Sequence, residues 1–353
     1  MKPCNKPWGY RNRVQLHVAD GQLGYWEARS HKLCAIDHCP ISSPKLNHTI
    51  GALAGMLRDP RWPRFVRSIE LFTDERQVQL NVVEADRPVA RRFFDWCTET
   101  IPGLVEGALD YEDRFRVSRG SFFQVNRFLL DRLVAAAVWG AQREAAQDGP
   151  AQDQAAQGEA APGKAAHGET APGRVAHGET AQRHGPQDEA AQGQAAQGET
   201  APAKSAQSEA ALDLYAGVGL FSLALARRFG AVTAVESGSA AMRDLQFNVG
   251  RAGLSNVHVE QRTSEDFLER LERPPNFVLL DPPRAGLGKA VVRRLIQLRP
   301  RQVVIVACDP ATLARDLAGL LAAGYRIENM TLIDLFPQTY HLETVVRLIA
   351  DHG

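Results

Sequence analysis

Hydrophobic and polar positions divide the chain into stretches of different period. Up to residue 115, short runs such as YRNRVQLHV, GQLGYWEA, VRSIELFT and RQVQLNVVEA alternate apolar and polar side chains, with Gly, Asp and Pro between them. A period of two puts every second side chain on one face, so these runs read as strands of a small β-rich domain over residues 1–115. RFLLDRLVAAAVWGA then reads as a helix, its apolar stripe passing through Leu129, Leu133, Ala136 and Val138.

From residue 210 the period changes again. ALDLYAG, AVTAVE, NVHVEQ, FVLLD, QVVIVAC, ENMTLIDLF and ETVVRLI are apolar runs of strand length, and LFSLALARRF, SAAMRDLQFNVGRAG, AVVRRLIQL and ATLARDLAGLLAAG carry helical spacing between them. Continuous apolar strands separated by helices need cover on both faces, which predicts a parallel sheet. The expectation is a doubly wound, Rossmann-like α/β domain built from residues 116–140 and 210–353, preceded by the β-rich domain.

Residues 141–209 break this pattern. They are Ala, Gln, Gly, Glu, Thr and Pro with almost no large apolar side chain, and AHGETA recurs at 166 and 176. Such a segment buries too little surface to offset its ordering entropy, so it reads as a disordered, low-complexity insert without chemistry of its own.

Composition narrows the class. A chain of 353 residues, 44% hydrophobic and 23% charged, suits about two globular domains. It holds no long unbroken apolar run, and its start, MKPCNKPWGYRNRVQLH, has no hydrophobic core for a leader, so a cytoplasmic protein with no membrane association is expected. Cys4, Cys34, Cys39, Cys97 and Cys308 are an odd, scattered set, which argues for a reducing compartment rather than a disulfide framework. Cys34 and Cys39 are five apart, a spacing that half of a metal site could use, but no second close pair completes it, so no metal is expected. The formally neutral total hides a split: residues 1–67 carry eleven Lys/Arg against four Asp/Glu, a net of +7, while residues 141–209 carry five against ten, a net of −5. The basic end is interleaved with Trp8, Tyr10, Tyr25, Trp26 and Trp62, a mixture of cations for phosphates and rings for bases that suits an RNA surface.

Candidate chemistry sits at strand ends. In LDLYAGVGLFS the strand ends at Tyr215, and Gly217 and Gly219 allow a tight turn close to a ligand. Ser222 stands where a dinucleotide loop has its third glycine, and Glu236 closes the next strand with a carboxylate for two ribose hydroxyls. A nucleoside without pyrophosphate fits both facts, and S-adenosylmethionine is the common one on this fold. Asp281 ends the strand of LLDPPRAG and faces the same crevice. Where amino-directed methyltransferases close this tetrad with an aromatic ring, Arg284 stands here, which argues against an exocyclic amine as methyl acceptor.

Cys308 follows the buried run VVIVA and precedes a helix opening with Asp309 and Pro310, and Glu343 lies thirty-five residues further on in FPQTYHLETVVRL. Carbon 5 of uracil becomes nucleophilic once a thiolate has added at carbon 6, and a carboxylate must afterwards take the carbon 5 proton. Cys308 and Glu343 fit these two roles.

The strings GSFFQVN, LDLYAGVG, LLDPPRAG, ACDPATLARDL and FPQTYHLETVVRL, in this order, resemble the RNA uracil-C5 methyltransferase family, whose bacterial members make 5-methyluridine in tRNA and 23S rRNA. The resemblance covers the chain apart from the insert. It implies Cys308 as nucleophile, Glu343 as proton acceptor, Gln124, Tyr215, Glu236 and Asp281 as cofactor contacts alongside Gly217 and Gly219, and Phe122 near the target base. Many relatives begin with a TRAM β-barrel and then a cysteine cluster for an iron–sulfur centre; this chain starts after both, and only Cys39 matches a cluster ligand, so no cluster is expected. Leu220 stands where relatives often have Asn, which implies one fewer hydrogen bond to the cofactor. YRNRVQLH and IDHCPI resemble the ribosomal branch, which points to 23S rRNA rather than tRNA as partner. The alternatives are a tRNA enzyme, a homologue that binds RNA without turnover, and a methyltransferase of small molecules, the last disfavoured by the basic, aromatic N-terminal part.

Overall fold

Alternation in the first half builds a six-stranded sheet. The strands are β1 (Arg13–Ala19), β2 (Gln22–Trp26), β3 (Leu33–Ala35), β4 (Val66–Thr73), β5 (Val78–Ala85) and β6 (Leu104–Val105), ordered β3-β2-β1-β4-β5-β6. The structure is a computed structural model and describes residues 1–30, 32–140, 209–273 and 275–351, which belong to one compact unit. Apart from Glu209, the insert expected over 141–209 lies outside the described residues.

Two helices that alternation did not predict cover this sheet: α1 (Pro44–Met56) and α2 (Arg91–Thr100). The signal for α1 is present in the sequence, since Ser43 caps it by accepting from Leu46 N and Pro44 opens it. Its Leu46, Ile50 and Leu53 form one fully buried stripe against Val14, Leu16, Ile69 and Leu71. Burying each such side chain is worth about 2 kcal/mol.

A hairpin of β7 (Leu109–Tyr111) and β8 (Phe115–Val117) follows, then α3 (Leu130–Val134), which continues as a π-helical stretch over Ala135–Trp139. The predicted stripe of Leu129, Leu133, Ala136 and Val138 is buried. Between hairpin and helix, residues 118–126 are pinned from both sides. Asp244 accepts from Ser118 N at 2.7 Å and Ser121 Oγ at 2.6 Å, and Asn126 Nδ2 donates to Leu335 O at 3.1 Å. This stretch carries Phe122 and Gln124 to the second sheet.

The second half contains β9 (Ala210–Leu214), α4 (Leu220–Leu225), β10 (Ala231–Glu236), α5 (Ser239–Arg251), β11 (Val257–Gln261), α6 (Ser264–Arg270) and β12 (Phe277–Leu280). It continues through α7 (Gly288–Leu298), β13 (Gln302–Ala307), α8 (Pro310–Ala322), β14 (Tyr325–Ile333) and β15 (Glu343–Ala350). The sheet order is β11-β10-β9-β12-β13-β15-β14. The expected doubly wound α/β sheet is present, with one correction: β15 runs antiparallel to both β13 and β14. A parallel return from β14 needs a crossover of about a dozen residues or more. The connection over residues 334–342 is too short for one, so β15 turns back and fills the slot between its neighbours. The helix α6, capped by Thr263 accepting from Asp266 N, was also not predicted.

Candidate active site

The carboxyl ends of β9, β10, β12 and β13 and the start of β15 converge on one cavity of about 600 Å³. Phe122, Gln124, Tyr215, Gly217, Glu236, Asp281, Cys308 and Glu343 all line it. Of the sequence-predicted site residues only Gly219 lies behind the wall, as the residue preceding α4.

The glycine loop takes the conformation its sequence demands. Gly217 has φ +56° and Gly219 φ +96°, and a Cβ on Gly219 would lie 2.7 Å from Leu245 Cδ1. Both positions therefore exclude other residues without strain. Glu236 closes the loop from the next strand, its carboxylate accepting from Gly217 N at 2.9 Å and Gly238 N at 2.5 Å. Below the loop, Asp213 is wholly buried: Ser222 Oγ donates to its Oδ2, while Oδ1 has no hydrogen-bond partner. Burial, followed by the charge of Glu236 and against the Ser222 hydrogen bond, pushes the Asp213 carboxyl up to about 7. Ser222, read in the sequence as the missing third glycine, thus holds a buried acid that the strand pattern hid among apolar residues.

Asp281 is likewise pushed up to about 7, by burial first and Asp213 second, against the amide of Gln124. Gln124 Nε2 donates to Asp281 Oδ2 at 3.3 Å. Asp281 and Glu343, which share the cavity, titrate as interacting sites rather than independently.

Cys308 and Glu343 are brought side by side by strand pairing. Ala307 of β13 pairs with Thr344 of β15, so the residue after the first and the residue before the second are neighbours at the rim of the cavity. Cys308 is half-buried, and Asp309 behind it caps α8 by accepting from Thr312 N at 2.8 Å. Glu343 is 3% exposed. Burial and the nearby Glu343 push the Cys308 thiol up, and the Arg284 guanidinium opposes them. Burial and Asp281 push the Glu343 carboxyl well above the usual carboxylate range, again against Arg284. Arg284 lines the cavity and donates from Nη2 toward His341 Nε2 at 3.2 Å. Arg11 and Phe336 also line the wall, and sequence patterns gave no sign of either.

Elsewhere, Cys34 is exposed, and Cys39 is buried with its sulfur accepting from Tyr25 OH at 3.6 Å. Among the described residues no three His, Cys, Asp or Glu side chains are grouped to hold a metal. No described helix is long and apolar enough to cross a membrane.

With this geometry in view, similarity to known proteins becomes specific. Residues 199–351 match the tRNA (Uracil-5-)-methyltransferase family. An uncharacterized RNA methyltransferase of Streptomyces avermitilis is 33% identical over 370 residues, spanning 98% of this chain and 68% of the relative. The chain belongs to the RNA uracil-C5 methyltransferase family. The 23S rRNA (uracil(1939)-C(5))-methyltransferase RlmD of Cronobacter sakazakii is 43% identical over 137 residues, 38% of this chain and 32% of that one. The crystal structure of Pyrococcus abyssi tRNA (uracil-54, C5)-methyltransferase, solved with S-adenosyl-L-homocysteine, superposes with a TM-score of 0.64 at 22% identity, covering 99% of this chain and 78% of that one. The chain spans about two thirds of the length of the Streptomyces relatives it matches. Members of this family draw their methyl group from S-adenosylmethionine.

The pocket suits that cofactor on its own terms. An open glycine turn at Gly217, with no atom within 4 Å of a Cβ there, and a carboxylate fixed by two backbone amides at Glu236 fit a nucleoside, and the half-buried acid Asp281 fits a cationic group.

Proposed function

We propose that this protein methylates carbon 5 of a uridine in RNA, with 23S rRNA as the RNA. The observation that carries the reading is the pairing of Ala307 with Thr344, which sets a thiol and a carboxyl together on the wall of a cofactor-sized pocket. The identity with RlmD and the ribosomal character of YRNRVQLH and IDHCPI support the choice of RNA. In this reading residues 1–115 present the RNA, and residues 116–140 with 210–353 carry out the transfer.

The bound cofactor supplies an electrophilic methyl group. Gln124, Tyr215, Gly217, Glu236 and Asp281 hold and orient it, with Gly219 shaping the turn behind them. Phe122 stands at the mouth, 59% exposed, in position to stack on a uracil turned out of its helix or loop. The Cys308 thiolate adds to carbon 6, and the electrons of the ring double bond move onto carbon 5 and the carbonyl. Once carbon 5 has taken the methyl group it still bears its own proton. The Glu343 carboxylate removes that proton, the double bond re-forms, and the Cys308 sulfur leaves as thiolate. Its raised affinity for protons makes Glu343 a stronger base than an exposed carboxylate.

The test is transfer of label from tritiated S-adenosylmethionine to RNA from cells lacking the gene, with size separation and digestion to nucleosides. Label in 5-methyluridine of 23S rRNA that disappears with Cys308→Ala is expected. Label confined to tRNA overturns the choice of RNA. Turnover unaffected by Cys308→Ala, or no label in any RNA, overturns the reaction.

A further inference from the structure

Among the described residues Tyr340 is the most exposed large aromatic or apolar side chain, at 91%. It lies in the short connection between β14 and β15, three residues before Glu343. A single exposed aromatic is ordinary on a protein surface; what surrounds this one is not. Its ring lies 4.1 Å from the His341 ring, centroid to centroid, tilted by 43°. His341 in turn packs edge-on to Phe336 at 5.9 Å and takes a hydrogen bond from Arg284 at 3.2 Å. Arg284 and Phe336 belong to the cavity wall. Tyr340 is thus one side chain outside the mouth, backed by an imidazole that the wall itself holds in place. The rest of its ring is open to solvent. Arg11 adds a second cation to the same wall.

We propose that Tyr340 is a stacking platform for an unpaired nucleobase adjacent to the target uridine, with His341 as its backing and Arg284 and Arg11 beside the connecting phosphate. This rests on the reading of the protein as an RNA methyltransferase. Extracting a uridine into the cavity leaves its neighbour in the strand without a stacking partner just outside. An aromatic face with an open side replaces that partner whatever the base, because every base has a π-face. The platform selects for single-stranded context and not for sequence. It acts on binding of the RNA and leaves the chemistry at Cys308 alone, so its loss raises KM and spares kcat.

The test uses the full chain with S-adenosylhomocysteine and a fluorescein-labelled RNA nonamer carrying one central uridine among cytidines. A second strand has abasic riboses on both sides of the uridine. Fluorescence anisotropy gives each affinity, and label transfer to total RNA gives KM and kcat. Tyr340→Ala is expected to weaken binding of the intact strand about ten-fold, as loss of one base–aromatic stack does, with a matching rise in KM at unchanged kcat. Tyr340→Phe stays within about two-fold of the parent, because it keeps the ring. The abasic strand binds the parent weakly and does not distinguish it from Tyr340→Ala. If Tyr340→Ala binds the intact strand as the parent does, or Tyr340→Phe loses as much as the alanine variant, the platform is refuted while the methyltransferase reading stands. If the parent neither binds RNA nor labels it, both fall together.

Discussion

Gln124 and Asp281, 157 positions apart in the chain, meet at 3.3 Å through an amide that donates to a half-buried carboxylate. The contact joins the stretch before the insert to the strand end that faces the cofactor pocket. Removing the amide leaves a half-buried acceptor without its partner, at a cost of about 1 kcal/mol. Gln124→Ala is therefore expected to weaken S-adenosylhomocysteine binding about ten-fold. The amide also favours the charged form of Asp281, whose carboxyl lies near 7. The acid limb of binding should move to higher pH in the variant. Calorimetric titration across neutral pH measures both effects, and an unmoved limb would contradict the role given to Gln124.

In the proposed reaction Glu343 and Cys308 act at different stages, so their variants should fail differently. Cys308→Ala stops before any bond to the RNA forms. Glu343→Gln permits addition and methyl transfer but removes the group that takes the carbon 5 proton, so the protein stays bonded to its RNA. A slow band on a denaturing gel, present for Glu343→Gln and absent for the double variant with Cys308→Ala, is the expected result. Turnover of either variant should fall by at least about a thousand-fold.

A thiol held above its ordinary value by burial and by Glu343 is mostly protonated at neutral pH. In the proposed reaction the thiolate is the nucleophile, so the single-turnover rate should climb with pH through the neutral range and level off above the ordinary thiol value. Arg284 pulls Cys308 toward ionisation. Arg284→Gln should carry the rising limb to higher pH and lower the neutral rate in proportion to the thiolate lost, about ten-fold if the limb moves by about one pH unit. A rate–pH profile identical to that of the parent would remove Arg284 from this role.

Asp213, Asp281 and Glu343 are acids of the cavity and the core below it that bind protons more tightly folded than unfolded. Their stabilising contribution is complete below the unfolded carboxylate range and is lost as pH rises through their folded values, near 7 for Asp213 and Asp281. The ligand-free protein should accordingly lose thermal stability between pH 5 and pH 8, measurable as a falling melting temperature (about these limits by linkage). Asp213→Asn should flatten that slope, since the amide does not titrate. An equally steep slope in the variant would show that the loss originates elsewhere.

Legibility in the sequence followed physical locality. The strands of the second sheet, the Asp309–Pro310 helix start and Glu236 at its strand end were readable, because burial on both faces and helix capping leave local marks. The reversal of β15 was not, since strand direction depends on the length of a connection and on which slot is free. Asp213 is hidden inside ALDLYAG, where a strand pattern absorbs one polar residue without comment. Gln124 was reachable only by resemblance, because it reaches Asp281 through a tertiary fold. Ser43 and Pro44 do announce α1, a local signal that the alternation of the flanking strands overshadows. His341 and Arg284 come together only when β15 is in place.

The reversal of β15 also governs how firmly the proposed nucleophile and base are spaced. Cys308 and Glu343 hang from the ends of a ladder whose rungs run from Gln302 with Ile349 up to Ala307 with Thr344. Their separation is inherited from peptide geometry instead of from the fit of side chains, so enlarging or trimming the core beneath them should leave it nearly untouched. Slipping the ladder by a single rung is another matter: the carboxylate would swing to the opposite side of the sheet, out of reach of the sulfur, with every atom of both residues still present.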